Sequence, residues 1–340
     1  MRIIYQVLGL GMIMLLSCNN SNKKNMENNE SFSWGSTITA PHMYPIEIHK
    51  GYLANDKEMI TGYISTGTST GDWGYGNNAY VGGKTIPTNL SLTWISYAEK
   101  KFWKIEAVLP HDKILALFKE GYMDKDRKGE WSHITYNDIT VGLAPGGLVV
   151  VWLTGKKRSV EIAHYQAVET FVSANEFYRN PHEDTQEEFY DWSFKSEVPK
   201  ETQAYIKENG IPVNLWNNYR TKYNYRFNIH FYKVDKESSD RRLRYVNGEE
   251  EVIEVKNAGS YQNRALPSYG RFFFSQYNAE VQFDGEEVLN AFKKISKNHP
   301  DKSIEIEAKV AFMYKTTTFT VKCEDEEIPL EKTVVKMWKN

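Results

Sequence analysis

Cysteine is scarce: the chain has two in 340 residues, Cys18 and Cys323, too few for a disulfide framework. Positive charge is in no excess either. A net charge of -2 leaves no basic footprint, so we expect no nucleic-acid partner. After the first eighteen residues no long apolar run occurs, so the body is expected to lack a spanning helix. Metal-binding patterns are missing too. His42 and His49 are seven apart, which is neither a helical pair nor one strand face, and no His-Glu-x-x-His is present. His182-Glu183-Asp184 sits in a charged stretch that reads as exposed. The Gly-x-Ser-x-Gly spacing occurs at Gly67-Thr68-Ser69-Thr70-Gly71, but in a glycine-rich stretch that leads into no helix, so it does not read as a nucleophile elbow. The sequence therefore singles out no catalytic residue, no metal ligand and no cofactor.

What is present begins at the start of the chain. Arg2 precedes an apolar run from Ile3 to Leu16 and then Ser17-Cys18. The run is about 14 residues, below the roughly 20 that a spanning helix needs. A charged start, a short apolar core and small residues before a cut site make a secretory leader. Here the cut precedes a cysteine whose thiol can be acylated, so residues 1–18 are expected to be a lipoprotein signal with Cys18 the lipidated residue. The partner implied is a lipid bilayer. Two or three acyl chains at about 0.8 kcal/mol per buried methylene hold a protein stably. Residues 19–31 open on NNSNKKNMENNE, too polar to offset the entropy of ordering, and read as a tether. The expected location is the cell envelope; Asn19 after the cysteine favours the outer membrane. Cys323, sharing strand parity with Phe319 and Val321, reads as a buried, inert small hydrophobe.

The body is rich in rings, with 22 Tyr, 16 Phe and 9 Trp, residues that favour strands and contact surfaces. Alternation of period two recurs at Tyr44-Ile46-Ile48, at Leu90-Leu92-Trp94, at Trp103-Ile105-Ala107 and at Tyr223 to Phe231. It is cleanest over Ile304, Ile306, Ala308, Val310, Phe312 and Tyr314. Such runs mean half-buried antiparallel strands. Helices are few. Asp112 is expected to cap Lys113–Glu120, Asp284 to cap Glu286–Lys297, and a third helix to start at Pro199 and stop before Gly210.

The first two helices occupy similar contexts. Each follows a prolyl turn (Ile86-Pro87, Leu266-Pro267) and an aromatic-rich strand pair, and each precedes a long strand or hairpin. The fold class expected is mainly β with a minor α component: two similar antiparallel β-rich units, residues 32–195 and 196–340, each with one short helix, as an internal duplication would give.

Local sequences also resemble a known family. They are Ala40-Pro41-His42-Met43-Tyr44-Pro45, Leu92-Thr93-Trp94-Ile95-Ser96 with Glu99-Lys100-Lys101-Phe102, Leu109-Pro110, and Val141-Gly142-Leu143-Ala144-Pro145-Gly146-Gly147 running to Trp152-Leu153-Thr154-Gly155. The chain is similar there to bacterial lipoproteins filed as domain of unknown function 2931, from Trp34 to about Trp192. The resemblance implies a lipid-anchored β-rich body and no catalytic residues.

Pro145-Gly146-Gly147 reads as a turn with positive φ feeding the strand Leu148–Leu153. The segment Gly67–Gly83 (GTSTGDWGYGNNAYVGG) is the candidate contact region: Asp72, Trp73, Tyr75, Asn77, Asn78 and Tyr80 set flat rings beside amides and a carboxylate, the combination that binds sugars. The bland reading has Trp73 and Tyr80 folding back onto the sheet as a lid. Arg241-Arg242-Leu243-Arg244, flanked by acids, reads as ion pairs on a loop. The function expected is a non-catalytic envelope binding protein, of the immunity or inhibitor type or a glycan binder. The alternative is a polysaccharide hydrolase drawing a carboxylate pair from Asp72, Glu99, Glu106 or Glu161.

Overall fold

The computed structural model describes residues 31–63, 67–69, 71–76, 82–126, 129–232 and 240–339. Cys18, the tether up to residue 30, Asn77, Asn78 and Tyr80 lie outside them. Residues 31–340 cluster as one compact unit. None of the described helices is long and apolar enough to cross a membrane.

The body is mainly β. An N-terminal set comprises β1 (Gly35–Thr39), β2 (Ile46–Ala54), β3 (Met59–Tyr63), β4 (Asn89–Ser96), β5 (Lys101–Val108), α1 (His111–Glu120), the small hairpin β6 (Tyr122–Lys125) and β7 (Trp131–Ile134), β8 (Asp138–Ala144), β9 (Leu148–Gly155), β10 (Arg158–Gln166) and β11 (Val168–Thr170). A helical stretch follows: α2 (Ala174–Phe177), α3 (Gln186–Glu197), α4 (Lys200–Asn209) and α5 (Leu215–Tyr219). The C-terminal set is β12 (Tyr223–Phe231), β13 (Asp240–Tyr245), β14 (Glu250–Ile253), β15 (Gln262–Arg264), β16 (Pro267–Phe273), β17 (Tyr277–Gln282), α6 (Gly285–Asn298), β18 (Ile304–Val310), β19 (Thr317–Cys323), β20 (Glu326–Pro329) and β21 (Val334–Lys339).

The two sets follow one strand plan. In the first, the orders are β1-β8-β9-β10 and β3-β2-β4-β5-β11; in the second, β12-β18-β19-β20 and β14-β13-β16-β17-β21. Corresponding pairs also run in the same sense. β1 is parallel to β8 as β12 is to β18, and the remaining corresponding pairs are antiparallel. β15 adds to β12 in the second set alone. Pairing of β10 with β14 at Ser159 and Glu250 splices one sheet of each set into a nine-stranded sheet.

Helix packing repeats as well. Ile114 and Phe118 stand four and eight residues after the cap of α1, and Val288 and Phe292 do so in α6; all four are buried. This is one face of a 3.6-residue period turned onto a sheet. Asp284 caps α6 by accepting from the Glu287 amide at 2.8 Å. α1 differs from expectation: its cap position is Pro110, and Asp112 lies in the first turn with no capping bond. Proline fits there because the first amides of a helix need no intrahelical partner. The third helix runs Lys200–Asn209 between Pro199 and Gly210 as the sequence indicated.

The alternation from Ile304 stops as strand at Val310; Phe312–Tyr314 form a tight turn. The matching turn of the first set is Pro145–Gly147, where Gly146 and Gly147 have φ of 81° and 73°. Met313 and Tyr314 take the same left-handed conformation, at 56° and 54°, with side chains that disfavour it. Cys323 is buried in β19, and burial raises its thiol pKa, which disfavours the thiolate.

Candidate functional site

The loop 71–76 leaves the N-terminal set and lies against the C-terminal one. Glycine makes this approach close: a Cβ on Gly74 would stand 2.4 Å from the Cα of Gly248, in the turn between β13 and β14. Both glycines have φ of 86°, a conformation in which side chains are strained. Trp73 then meets Trp152 edge to face, with ring centroids 5.0 Å apart. Tyr75 donates to the Glu250 carboxylate at 2.5 Å. Burial, with Glu250 beside it, pushes the Tyr75 phenol well above its ordinary pKa.

Asp72, Trp73 and Tyr75 border a cleft of 710 Å³. Its floor is the outer face of β13, β16 and β17, with Arg244, Tyr269, Glu280 and Gln282, and its far wall is Trp216 and Tyr219 of α5. Period two puts alternate residues of these strands on one face, and the strand pairings bring them side by side. Arg244 organises the floor. Its guanidinium lies 4.2 Å from the Tyr75 ring centre and 5.5 Å from that of Tyr269, and 3.6 Å from Asp72. Tyr269 donates to Glu280 at 2.8 Å. The Asp72 carboxylate is open to solvent, and the Trp73 indole N–H is buried without a hydrogen-bond partner among the described residues. The cleft thus sets aromatic walls beside acids, an amide and a guanidinium.

The other expected carboxylates are elsewhere. Glu99 accepts from the Gly146 amide and the Trp103 indole, Glu106 pairs with Lys104 on the surface, and Glu161 pairs with Arg220 at 2.8 Å. None of the three lines the cleft. The Arg241–Arg244 run is the strand β13, a correction to its reading as a loop. Arg242 and Arg244 do pair with acids, whereas Arg241 is buried against the rings of Phe227 and Phe272. That burial lowers its pKa to about 10. Among the described residues no group of three or more His, Cys, Asp or Glu side chains could hold a metal.

Sequence reasoning found three residues of the cleft, singled out Arg244 only as part of an ion-paired loop, and missed Tyr269, Glu280 and Gln282. Each sits on an alternating strand at a position that reads as solvated face. Only the register between strands shows that these positions converge.

The chain belongs to the family described as protein of unknown function (DUF2931), whose family model matches residues 19–214. That span ends before β12. No curated protein and no solved structure matches the chain.

Proposed function

We propose that this member of the family is a lipoprotein of the cell envelope, held by acylated Cys18, whose body binds a carbohydrate-class ligand in the cleft without transforming it. One observation carries the reading: Asp72, Trp73 and Tyr75 line the same cleft as Arg244, Tyr269, Glu280 and Gln282. Rings cover the apolar faces of a pyranose, and carboxylate, amide and guanidinium groups take its hydroxyls. A volume of 710 Å³ lies within the range of small-ligand sites, about 300–1,000 Å³. Calorimetric titration of the full mature chain with envelope oligosaccharides tests this. Saturable binding is expected, weakened about tenfold in Asp72→Ala and in Glu280→Gln, as loss of one charged hydrogen bond implies. A complete absence of binding across the oligosaccharides would refute the ligand class. Anchoring has its own test: Cys18→Ala should leave the membrane fraction, and unchanged fractionation would refute it.

We also infer that the two strand sets descend from one ancestral unit by duplication. The shared strand orders support this, as do Pro87 and Pro267, each two residues before the strand position that starts its hairpin (Asn89 with Val108, Tyr269 with Gln282). Relatives aligned separately to each half provide the test. Halves no more alike than unrelated β-rich chains would sink the idea.

A further inference from the structure

One end of the C-terminal set carries an apolar surface that the strand plan does not require. There Phe231 closes β12 opposite Val310, the last residue of β18, and Thr317 opens β19. The turn Phe312–Tyr314 joins β18 to β19 and leaves Phe312 and Met313 in solvent, 61% and 57% exposed. Tyr232 meets Phe312 edge to face with ring centroids 5.1 Å apart, and Tyr314 stacks on Tyr277 at 4.3 Å. The surface is therefore continuous, two exposed apolar side chains backed by tyrosines. Lys315 follows directly, and Lys339 ends β21 opposite Tyr277. Both lysines are exposed, and neither pairs with an acid among the described residues.

The first set makes the same turn without such a surface. Its Pro145–Gly147 is tucked in: Gly146 faces Val213, between α4 and α5, and Gly147 faces the Trp103 ring. Glycine takes the left-handed conformation there without steric cost. Met313 and Tyr314 take it at φ of 56° and 54°, where a side chain is disfavoured. Glycine in place of the exposed Met313 would relax the backbone at little loss of packing, so folding alone does not call for methionine. Strain spent on presenting apolar side chains to water points to a contact outside the chain.

Three features select a bilayer as the other party. The surface is an exposed turn, which can enter a soft layer, and no groove that would receive a side chain. Tyrosine joins an apolar ring to a polar hydroxyl, which suits the depth of lipid headgroups. The unpaired charges beside it are lysines, complementary to anionic headgroups. We propose that the Phe312–Lys315 tip inserts into the interfacial layer of an anionic bilayer, with Phe312 and Met313 against the acyl chains and Lys315 and Lys339 on the phosphates. The proposal rests on the acylated Cys18 for the supply of that bilayer. With the lipid already holding the chain, the tip's contact is intramolecular, and a weak one is enough to set which face meets the membrane.

Co-sedimentation of residues 19–340 with vesicles is the test; that chain holds the whole compact unit and carries no acyl group. Saturable binding is expected to vesicles of phosphatidylglycerol and phosphatidylcholine in equal parts, and binding about fivefold weaker or less to phosphatidylcholine alone. Phe312→Ser should weaken binding to the mixed vesicles about fivefold, and Lys315→Gln by a similar factor. Met313→Gly is the sharpest variant. Its melting temperature should rise while its vesicle binding falls about threefold or more, a pairing that a purely structural turn would not give. Absence of binding to the mixed vesicles, or binding unchanged in Phe312→Ser and Met313→Gly, would overturn the proposal. So would a dimer in vesicle-free solution that Phe312→Ser dissociates, which would assign the surface to a second copy of the chain. Residues 19–340 lack Cys18, so failure here leaves the anchoring test untouched, and unchanged fractionation of Cys18→Ala leaves this one untouched.

Discussion

The N-terminal and C-terminal sets share a backbone plan and spend it differently. Where the plan needs packing they agree. Leu53 and Leu243 are buried at matching positions of β2 and β13, and Phe118 and Phe292 at matching positions of the helices. Where it offers a half-buried polar position they diverge, as Gly35 beside Asp138 and Arg226 beside Glu305 show. The C-terminal set closes its own ion pair, and the N-terminal set leaves an acid open. Strand order is therefore held by a few buried apolar contacts and tolerates wholesale change in the polar residues between them.

The largest effects test whether the sets are one cooperative body. Phe118→Ala and Phe292→Ala should each lose about 3–5 kcal/mol in urea unfolding, the usual cost of emptying an aromatic core site. One transition is expected in both variants, because a sheet crosses from set to set. Two separated transitions would break that unity. Next is Glu250, buried at the splice and bonded to Tyr75 and Arg242. Glu250→Gln should cost about 3 kcal/mol, since it strips a desolvated arginine of its counter-charge. Faster proteolysis within residues 71–76 would accompany that loss; unchanged stability would mean that the splice does not hold the sets together.

The two acids should respond to pH with opposite signs. Burial pushes the Asp138 carboxyl up to about 6, so in the fold its charged form is disfavoured. Its penalty is fully present above that pH and fades as pH falls towards the unfolded value near 4. Asp138→Asn should therefore stabilise by about 1–2 kcal/mol at pH 7.5 and change little at about pH 4. At Glu305, burial acts upward, but Tyr261, Asn228 and Arg226 outweigh it and hold the carboxyl below its ordinary range. Glu305→Gln should destabilise at pH 7.5 by about 1–2 kcal/mol, an effect lost only as pH falls through the lowered value. Denaturant midpoints of both variants across pH check this, and matching signs would defeat the comparison. The smallest effect is at the turns. Met313→Gly should stabilise by about 0.5–1 kcal/mol by relieving a left-handed side chain. Gly147→Ala should do the reverse, because its Cβ would stand 2.6 Å from the Trp103 ring.

The sequence disclosed strands wherever one face is apolar, which is why β4, β12 and β18 were legible and the mainly β class with them. It did not disclose where β18 ends. Phe312 and Tyr314 keep the alternation, and nothing in Met-Tyr announces a turn as Gly-Gly does in the first set. α3 was missed although Thr185 and Glu188 form a complete capping box, because its surroundings are charged and its buried face rests largely on Phe189. Of the candidate site, the glycine-rich loop stood out by composition. Its partners on β13, β16 and β17 did not, since their role depends on strand registers that no local pattern encodes.

The join between β10 and β14 has a consequence for shorter chains. A protein cut after residue 214 would keep β10 but lose the neighbour that covers its outer margin. Bare strand margins recruit strands from other molecules. Such a fragment should therefore self-associate or borrow a strand, which β14 of the full chain forestalls by occupying that margin at Ser159.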